Sequence, residues 1–376
     1  MASDLPCIDF QQFDNITLIK KYDFFRTNKL FSEVYKIQEK ETGEQFIANI
    51  SRPEDTDTDA MPPLQMASNL YNLDHPSILK VIGYSKTEIN NEKRMVVITE
   101  YFSNGILSDM ITAERSGHPN PNWTNTKKLI SIYGIASGLL YLHSHNFIHR
   151  DIKPSKILLD DSLFPVIRGF NVLIKCDDKN SEKEFKGTPE YMAPEILMRE
   201  KSTKAMDVYS FAMIMYEVIT NKKPFDDLKN PNVIQVLQRV QQGKMPLFDS
   251  STPECFKELI QRCWNRDPEE RPTFKEIIHL LRTNPDFIFD GVEKDEFFDY
   301  VKYLDHYQKI TMRRRSSLTN GPLHEAQSLR DQLEAKTNEN NHLKEEIEKL
   351  KRSLNEERQK LDVAVKQLES LTNNDK

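Results

Sequence analysis

Along the first third of the chain, short β-branched apolar runs alternate with polar positions and are separated by turns. Between residue 18 and about residue 105 these runs are FSEVYKI, GEQFIANI, ILKVIGYS and RMVVITEYF, which the two-residue period predicts as strands. One segment among them, Leu64 to Asn72, has helical spacing. After Gly105 the period changes. LISIYGIASGLLYLHSHN repeats apolar residues three and four apart, as a buried helix does, and further helices are predicted at 205–220, 230–242, 253–264 and 273–283. The pattern is α+β and bilobal, a small β-rich lobe followed by a larger helical one.

Residues 1–17 read as an N-terminal extension, and residues 284–320 as a linker, first acidic-aromatic (DEFFDYVKYLDHY) and then basic (MRRRSSL). Past Gly321 and Pro322 the period becomes seven. Placing Leu333, Asn340, Ile347, Leu354 and Leu361 at position a puts Lys336, Leu343, Leu350 and Glu357 at d. A mostly apolar seam predicts a coiled coil over 321–376, weakened at Lys336 and Glu357. A lone Asn at an a position fixes register in parallel dimers, so Asn340 points to a parallel homodimer. Arginines stand two and three residues before Ser316, and likewise before Ser317, the spacing that a basophilic kinase reads, so both serines are phosphorylation candidates.

Composition narrows the classes. A net charge of -6 with both signs interspersed leaves no nucleic-acid footprint. The four cysteines (Cys7, Cys176, Cys255, Cys263) have neither CxxC nor His-paired spacing, which argues against a disulfide framework or a zinc site. The N-terminus has no basic stretch followed by an apolar run, and the most apolar window, Val208 to Thr220, carries Glu217 and is too short to span a bilayer. The expected setting is the cytoplasm, with protein partners and no membrane.

Four motifs then carry a resemblance. HRDIKPSKILL (His149 to Leu159) resembles the catalytic loop of protein kinases, and GTPEYMAPE (Gly187 to Glu195) the end of their activation segment. DVYSFAMIMYEVITNKKPF (Asp207 to Phe225) and CWNRDPEERPTF (Cys263 to Phe274) resemble the central helix and last-helix motif of the tyrosine-kinase-like group. Their order and spacing make residues 18–283 similar to a protein-kinase domain, with Lys153 as in Ser/Thr-directed members. The resemblance implies Asp151 as catalytic base and Lys153 on the transferred phosphate. It implies Val34, Asn49, Thr99 and Leu158 at nucleotide-binding positions, and a structural set of Glu195, Asp207 and Arg271. The hydrophobic spine positions are Leu70, Val81, His149 and Phe170.

Phosphoryl transfer needs phosphates cradled, metal ions held and an acceptor hydroxyl oriented. The positions that do this have changed. Thr27, Lys29 and Ser32 stand where glycines let the backbone approach the phosphates, and Asn49 stands where the phosphate-binding lysine belongs. Met66 replaces that lysine's glutamate partner, and Ile47 replaces a small alanine against adenine. Gly169, Phe170 and Asn171 align with DFG, and Lys156 with the loop asparagine, so both protein ligands of magnesium are missing. Asp160 and Asp161 lie near and read as turn residues. ATP is the ligand that the resemblance implies, and magnesium is left without its anchors. Lys156 invites the idea of metal-free nucleotide binding, its ammonium neutralising a phosphate.

The reading is a pseudokinase that scaffolds or regulates a signalling partner, an active kinase being the expected class, and dimerises through its coiled coil. Two alternatives stay open, a slow ATP-dependent Ser/Thr kinase using Asp151 and a coiled-coil adaptor with an inert kinase-like head.

Overall fold

The computed structural model describes residues 5–21, 31–51, 63–89, 92–170, 173–176, 188–198, 200–228 and 232–318. The chain divides into two compact units, Met1–Gln308 and Lys309–Lys376. The coiled-coil prediction for 321–376 lies outside the described residues, as do Thr27, Lys29 and Asn171. The last described part of the second unit is helical as far as Leu318, and includes Ser316 and Ser317 in its backbone.

The small lobe is one antiparallel sheet of β1 (Phe13–Lys21), β2 (Phe31–Glu39), β3 (Gln45–Ser51), β4 (Val81–Ile89) and β5 (Glu92–Glu100), in the order β1-β2-β3-β5-β4. Its helix α1 (Pro63–Tyr71) matches the helical spacing seen among the strands. Strand alternation sorts the side chains. Phe46, Ala48 and Ile50 of β3 join Phe13, Ile37, Val96 and Ile98 in one cluster, leaving Ile47 and Asn49 for the opposite face. The first strand begins at Phe13, inside the stretch read as an extension, because Phe13 is buried there with an edge-on contact to Phe46. Residues upstream also pair with the sheet, through Ile8 N–H to Tyr84 O at 2.7 Å and Tyr84 N–H to Pro6 O at 2.9 Å.

The large lobe packs α2 (Leu107–Arg115), α3 (Asn125–Ser144), α4 (Pro194–Leu197), α5 (Lys204–Thr220), α6 (Val233–Gln241), α7 (Glu254–Cys263) and α8 (Phe274–Thr283) around one core. Capping explains several boundaries. Asn232 and Gln235 form a capping box at α6, Thr273 and Glu276 another at α8, and Asn221 in the left-handed region (φ 57°) ends α5. Two short antiparallel ladders, β6 (Phe147–Ile148) with β9 (Ile174–Lys175) and β7 (Ile157–Leu159) with β8 (Pro165–Ile167), flank the turn of the catalytic-loop motif.

The acidic-aromatic stretch read as linker is a helix, α9 (Lys294–Leu318). Phe297, Tyr300, Val301 and Leu304 of α9 lie in the main core, and Arg282 clasps Asp305 at 3.1 and 2.7 Å. Tyr300 approaches Ser77 Oγ at 3.4 Å, and Tyr307 donates to Asp74, both in the segment joining α1 to β4. Composition hid this because apolar and acidic residues are interleaved at helical spacing, and the apolar face is recognisable only once a groove is there to receive it. Phe297→Ala should lower stability by about 3–5 kcal/mol. Urea unfolding checks this; a change within about 0.5 kcal/mol is what an unpacked linker would give.

His75, next to Asp74, takes part in the same joint. Its Nδ1 accepts from Ser77 N–H at 3.0 Å, so the neutral tautomer presents Nε2–H to Ser137 Oγ at 3.1 Å. Burial pushes its pKa down to about 4, against the attraction of Asp74 and with added repulsion from His145. A base held neutral when folded but protonated when unfolded costs stability as pH falls from its unfolded value toward its folded one. Acidification from pH 7 to pH 5 should therefore remove about 2 kcal/mol through this residue, a loss absent in His75→Gln. Paired urea titrations of both proteins measure it.

Candidate functional site

The cleft is built from the exposed face of the sheet and from the loop between β6 and β7. On the sheet, Asn49 pairs with Val34 on one side and Val97 on the other, and Ile47 pairs with Thr99. Asn49 Nδ2 donates to Val97 O at 3.3 Å, so this amide is engaged by its own sheet. Val34 is half-buried and Thr99 buried, and Leu158 is half-buried on β7, bridged to Ile106. Ser32 Oγ donates to Ile50 O and Ser51 O at 3.3 and 3.2 Å and accepts from Arg94 at 3.2 Å. Met66 is buried in the main core with Leu70, so α1 meets the sheet through apolar packing at this point.

The loop is fixed from below. Asp207, fully buried on α5, accepts from His149 N–H at 2.8 Å, Arg150 N–H at 2.9 Å and His143 Nε2 at 2.9 Å. Burial by itself would raise this carboxyl, and the bonds and neighbouring imidazoles outweigh it and hold it below the usual carboxylate range. With both N–H groups captured, Arg150 takes a left-handed conformation (φ 68°) that a residue other than glycine seldom adopts. His149 accepts from Asp151 N–H at 3.3 Å and bonds Arg168 O at 3.0 Å, its ring 5.3 Å from that of Phe170. Leu70, Val81 and Phe170 lie in the main core.

Asp151 faces the cleft between two lysines. Its Oδ1 lies 3.2 Å from Lys153 Nζ and its Oδ2 3.2 Å from Lys156 Nζ. Lys153 also donates to Thr188, at the end of the activation segment. Lys156 sits in the turn Pro154–Lys156, and its carbonyl accepts from Arg168 N–H at 2.8 Å, which brings its side chain across Gly169. Gly169 has φ 89°, and a Cβ there would stand 2.4 Å from Lys156 Cδ and 2.8 Å from its Nζ. The lysine occupies the volume that any side chain at 169 would need. Burial lowers the Lys156 pKa, Asp151 opposes that shift, and Lys153 and Arg168 add to it.

Beyond the loop, Arg271 forms a bidentate pair with Glu195 at 2.7 and 2.8 Å, donates to Asn265 O and Ala205 O, and stacks over Tyr209 at 5.1 Å. Neither ionic partner is accessible, and a buried pair of this kind is held by its geometry and extra hydrogen bonds.

Residues 28–281 match the family model for protein tyrosine and serine/threonine kinases. The chain belongs to this kinase family. Among its relatives, a putative serine/threonine-protein kinase/receptor, R818, of Acanthamoeba polyphaga mimivirus is 36% identical over 211 residues, covering 56% of this chain and 12% of the relative. Mitogen-activated protein kinase kinase kinase 12 of Rattus norvegicus is 28% identical over 305 residues (75% of this chain, 32% of the relative). Mitogen-activated protein kinase kinase kinase 7 of Bos taurus is 30% identical over 229 residues (57% and 37%). The chain thus spans well under half the length of these relatives.

Within the kinase family the metal is held by an aspartate and an asparagine. The motif alignment puts Gly169 and Lys156 there, and both oxygens of Asp151 face ammonium groups. Asp160 is spent on its own turn, accepting from Ser162 N–H at 2.9 Å and Phe164 N–H at 2.7 Å, and Asp161 accepts from Ser103 at 2.9 Å. Among the described residues no cluster of three or more His, Cys, Asp or Glu could hold a metal ion. The described residues do not fit magnesium.

The motifs supplied each of these positions. They did not supply the Lys156–Gly169 contact or Arg168 beside it, since a resemblance reports what a position has lost and not what the replacement touches. The contact should be measurable as coupling. Gly169→Ala should destabilise by about 1–3 kcal/mol through its positive φ and the displaced lysine. Part of that loss should disappear in a Lys156→Ala background, giving a non-zero interaction energy in a double-mutant cycle.

Proposed function

We propose that this kinase domain is a pseudokinase, a scaffold or allosteric regulator of a signalling partner, with an active kinase as the expected partner class. The observation that carries the reading is Lys156 lying over Gly169 with its ammonium on Asp151. A cation stands where the family keeps a metal, and the base carboxylate is engaged by two lysines. Asn49 and Met66 add to it, because neither can contact phosphate as an ion pair would. Their joint change avoids leaving one charge buried without its partner. Counting only two independent losses of about 10²–10³ each gives about 10⁴–10⁶ in rate. Against an ordinary turnover of about 1–100 s⁻¹, the most generous remainder is about 10⁻² s⁻¹. Dimerisation through the heptads of 321–376 belongs to the same reading, and paired heads suit a scaffold.

One arrangement favours a second reading. Asp151, Lys153 and Thr188 are joined as a Ser/Thr-directed catalytic loop requires, so a slow Ser/Thr kinase remains the rival. Radiolabelled phosphate transfer to itself and to a generic Ser/Thr substrate, compared with Asp151→Asn, separates the two. The pseudokinase reading expects incorporation at background and unchanged by the substitution. Turnover near 1 s⁻¹ that vanishes in Asp151→Asn overturns it.

A further inference from the structure

The sheet of the small lobe has two outer strands, and one of them, β4, is covered by residues upstream of β1. Cys7 pairs with Tyr84 in the parallel sense, which engages both main-chain groups of Tyr84: its N–H donates to Pro6 O at 2.9 Å and its carbonyl accepts from Ile8 N–H at 2.7 Å. Side chains three apart in an extended segment leave on opposite faces. Leu5 is buried in the main core cluster that holds Met66 and Leu70, and Ile8 packs against the second cluster, that of Phe13 and Ile98. Gly83 gives the segment its room. A Cβ there would stand 2.7 Å from Pro6 O and 2.5 Å from Ile8 Cδ1, and since Gly83 is not among the residues with positive φ, glycine is needed for space and not for conformation. Beyond Ile8 the chain has separate anchors. Asp9 caps the turn Phe10–Gln12 by accepting from Gln11 N–H at 2.9 Å. Lys40 donates from its side chain to Gln11 O at 2.7 Å and from its N–H to Gln12 O at 2.9 Å. Residues 5–8 are thus held by two backbone bonds and two apolar side chains, next to a base fixed independently of them.

We propose that the β4 edge is a protein-docking slot that residues 5–8 fill in cis. The partner it fits is an extended protein segment of the same chemistry: an apolar side chain, a second one three residues on, and uncharged residues between. An outer strand offers N–H and C=O groups that an added strand takes up, while pockets for particular side chains give selectivity. Here the backbone groups are those of Tyr84, and the first pocket is the space that Leu5 fills in the main core. Pro6 fits because the slot uses its carbonyl, so the missing N–H is not called upon. A charged side chain in the place of Leu5 would be carried into the core, which rejects segments with Asp or Lys there. The cis segment is a tethered competitor with an effective concentration on the order of millimolar, so a partner gains the slot only when residues 5–8 lift away. The slot uses no residue of the catalytic loop, and its occupation is therefore independent of phosphate transfer.

Native-state hydrogen exchange of the full chain reads the lifting directly. Corrected for intrinsic rates, the amides of Ile8 and Tyr84 should exchange together, about tenfold or more faster than those of Val96 and Ile98 in the middle of the sheet. Equal protection of all four overturns the proposal. Binding is read by fluorescence anisotropy with a labelled peptide of residues 2–10 carrying Cys7→Ser, added to the full chain and to its Leu5→Asp variant, in which the cis segment is detached. The peptide should bind the variant about tenfold or more tighter than the wild type. Leu5→Asp in the peptide should weaken that binding about tenfold or more, and Gly83→Val added to the variant chain should do the same. Cooperative melting checks each chain; where a variant fails it, hydrogen exchange of the wild type decides. No measurable binding to the Leu5→Asp chain, equal affinity for it and the wild type, or indifference to Leu5→Asp in the peptide or to Gly83→Val in a folded chain each overturns the proposal. Self-association of the wild type that Gly83→Val abolishes in sedimentation would put a second copy's residues 5–8 in the slot, and overturns the assignment to a partner protein.

Discussion

The buried carboxylate of Asp207 is the constraint on which the loop geometry depends. It accepts the N–H groups of two consecutive residues, His149 and Arg150, and that capture forces the chain through a left-handed turn at Arg150. The turn in its place aims Asp151 out of the lobe and into the cleft. An acceptor buried this deeply is costly unless its lone pairs are filled, and three donors fill them. The framework that a catalytic kinase needs is therefore maintained from beneath, independently of what happens at the cleft surface.

On that surface a catalytic site concentrates carboxylates so that metal ions can bridge to phosphates, whereas the motif alignment puts a glycine and a lysine at the two anchoring positions. The two changes belong together in space. Lys156 can cross to Asp151 because residue 169 has no side chain, and Gly169 can hold its positive φ without strain because it is glycine. A pair of this sort differs from simple decay. A lost ligand leaves a hole or a solvated stub, while this replacement fills the volume and satisfies the remaining carboxylate with a fixed cation.

The joint between the lobes shows the same economy. The segment from Asp74 to Ser77 is held by a neutral imidazole to α3, by Tyr300 to α9, and by Tyr307 through Asp74. Helix α9 thus ties the first unit's small lobe to the large one at the place where α1 meets β4. Its burial of Phe297 and Leu304 makes it part of the kinase core, although the family match ends at residue 281.

Much was legible in the chain itself. Two-residue alternation gave the small sheet, 3.6-residue repeats gave the large-lobe helices to within a few residues, and four motifs pointed to the family. Those signals are local or are spaced by short loops, so they survive without coordinates. What the chain alone withheld involves residues far apart in sequence or hidden by composition. Helix α9 read as linker because its acidic residues mask an apolar face that needs α3 and α8 to define it. The partners of His75 lie 62 residues away at Ser137 and 223 or more away on α9 for its neighbours. Above all, the sequence put a lysine at 156 and a glycine at 169, and only the fold decided how they meet, since whether a lysine extends into solvent or lies across a glycine onto a carboxylate is set by steric room and charge that appear when the loop and the strand ends are brought together.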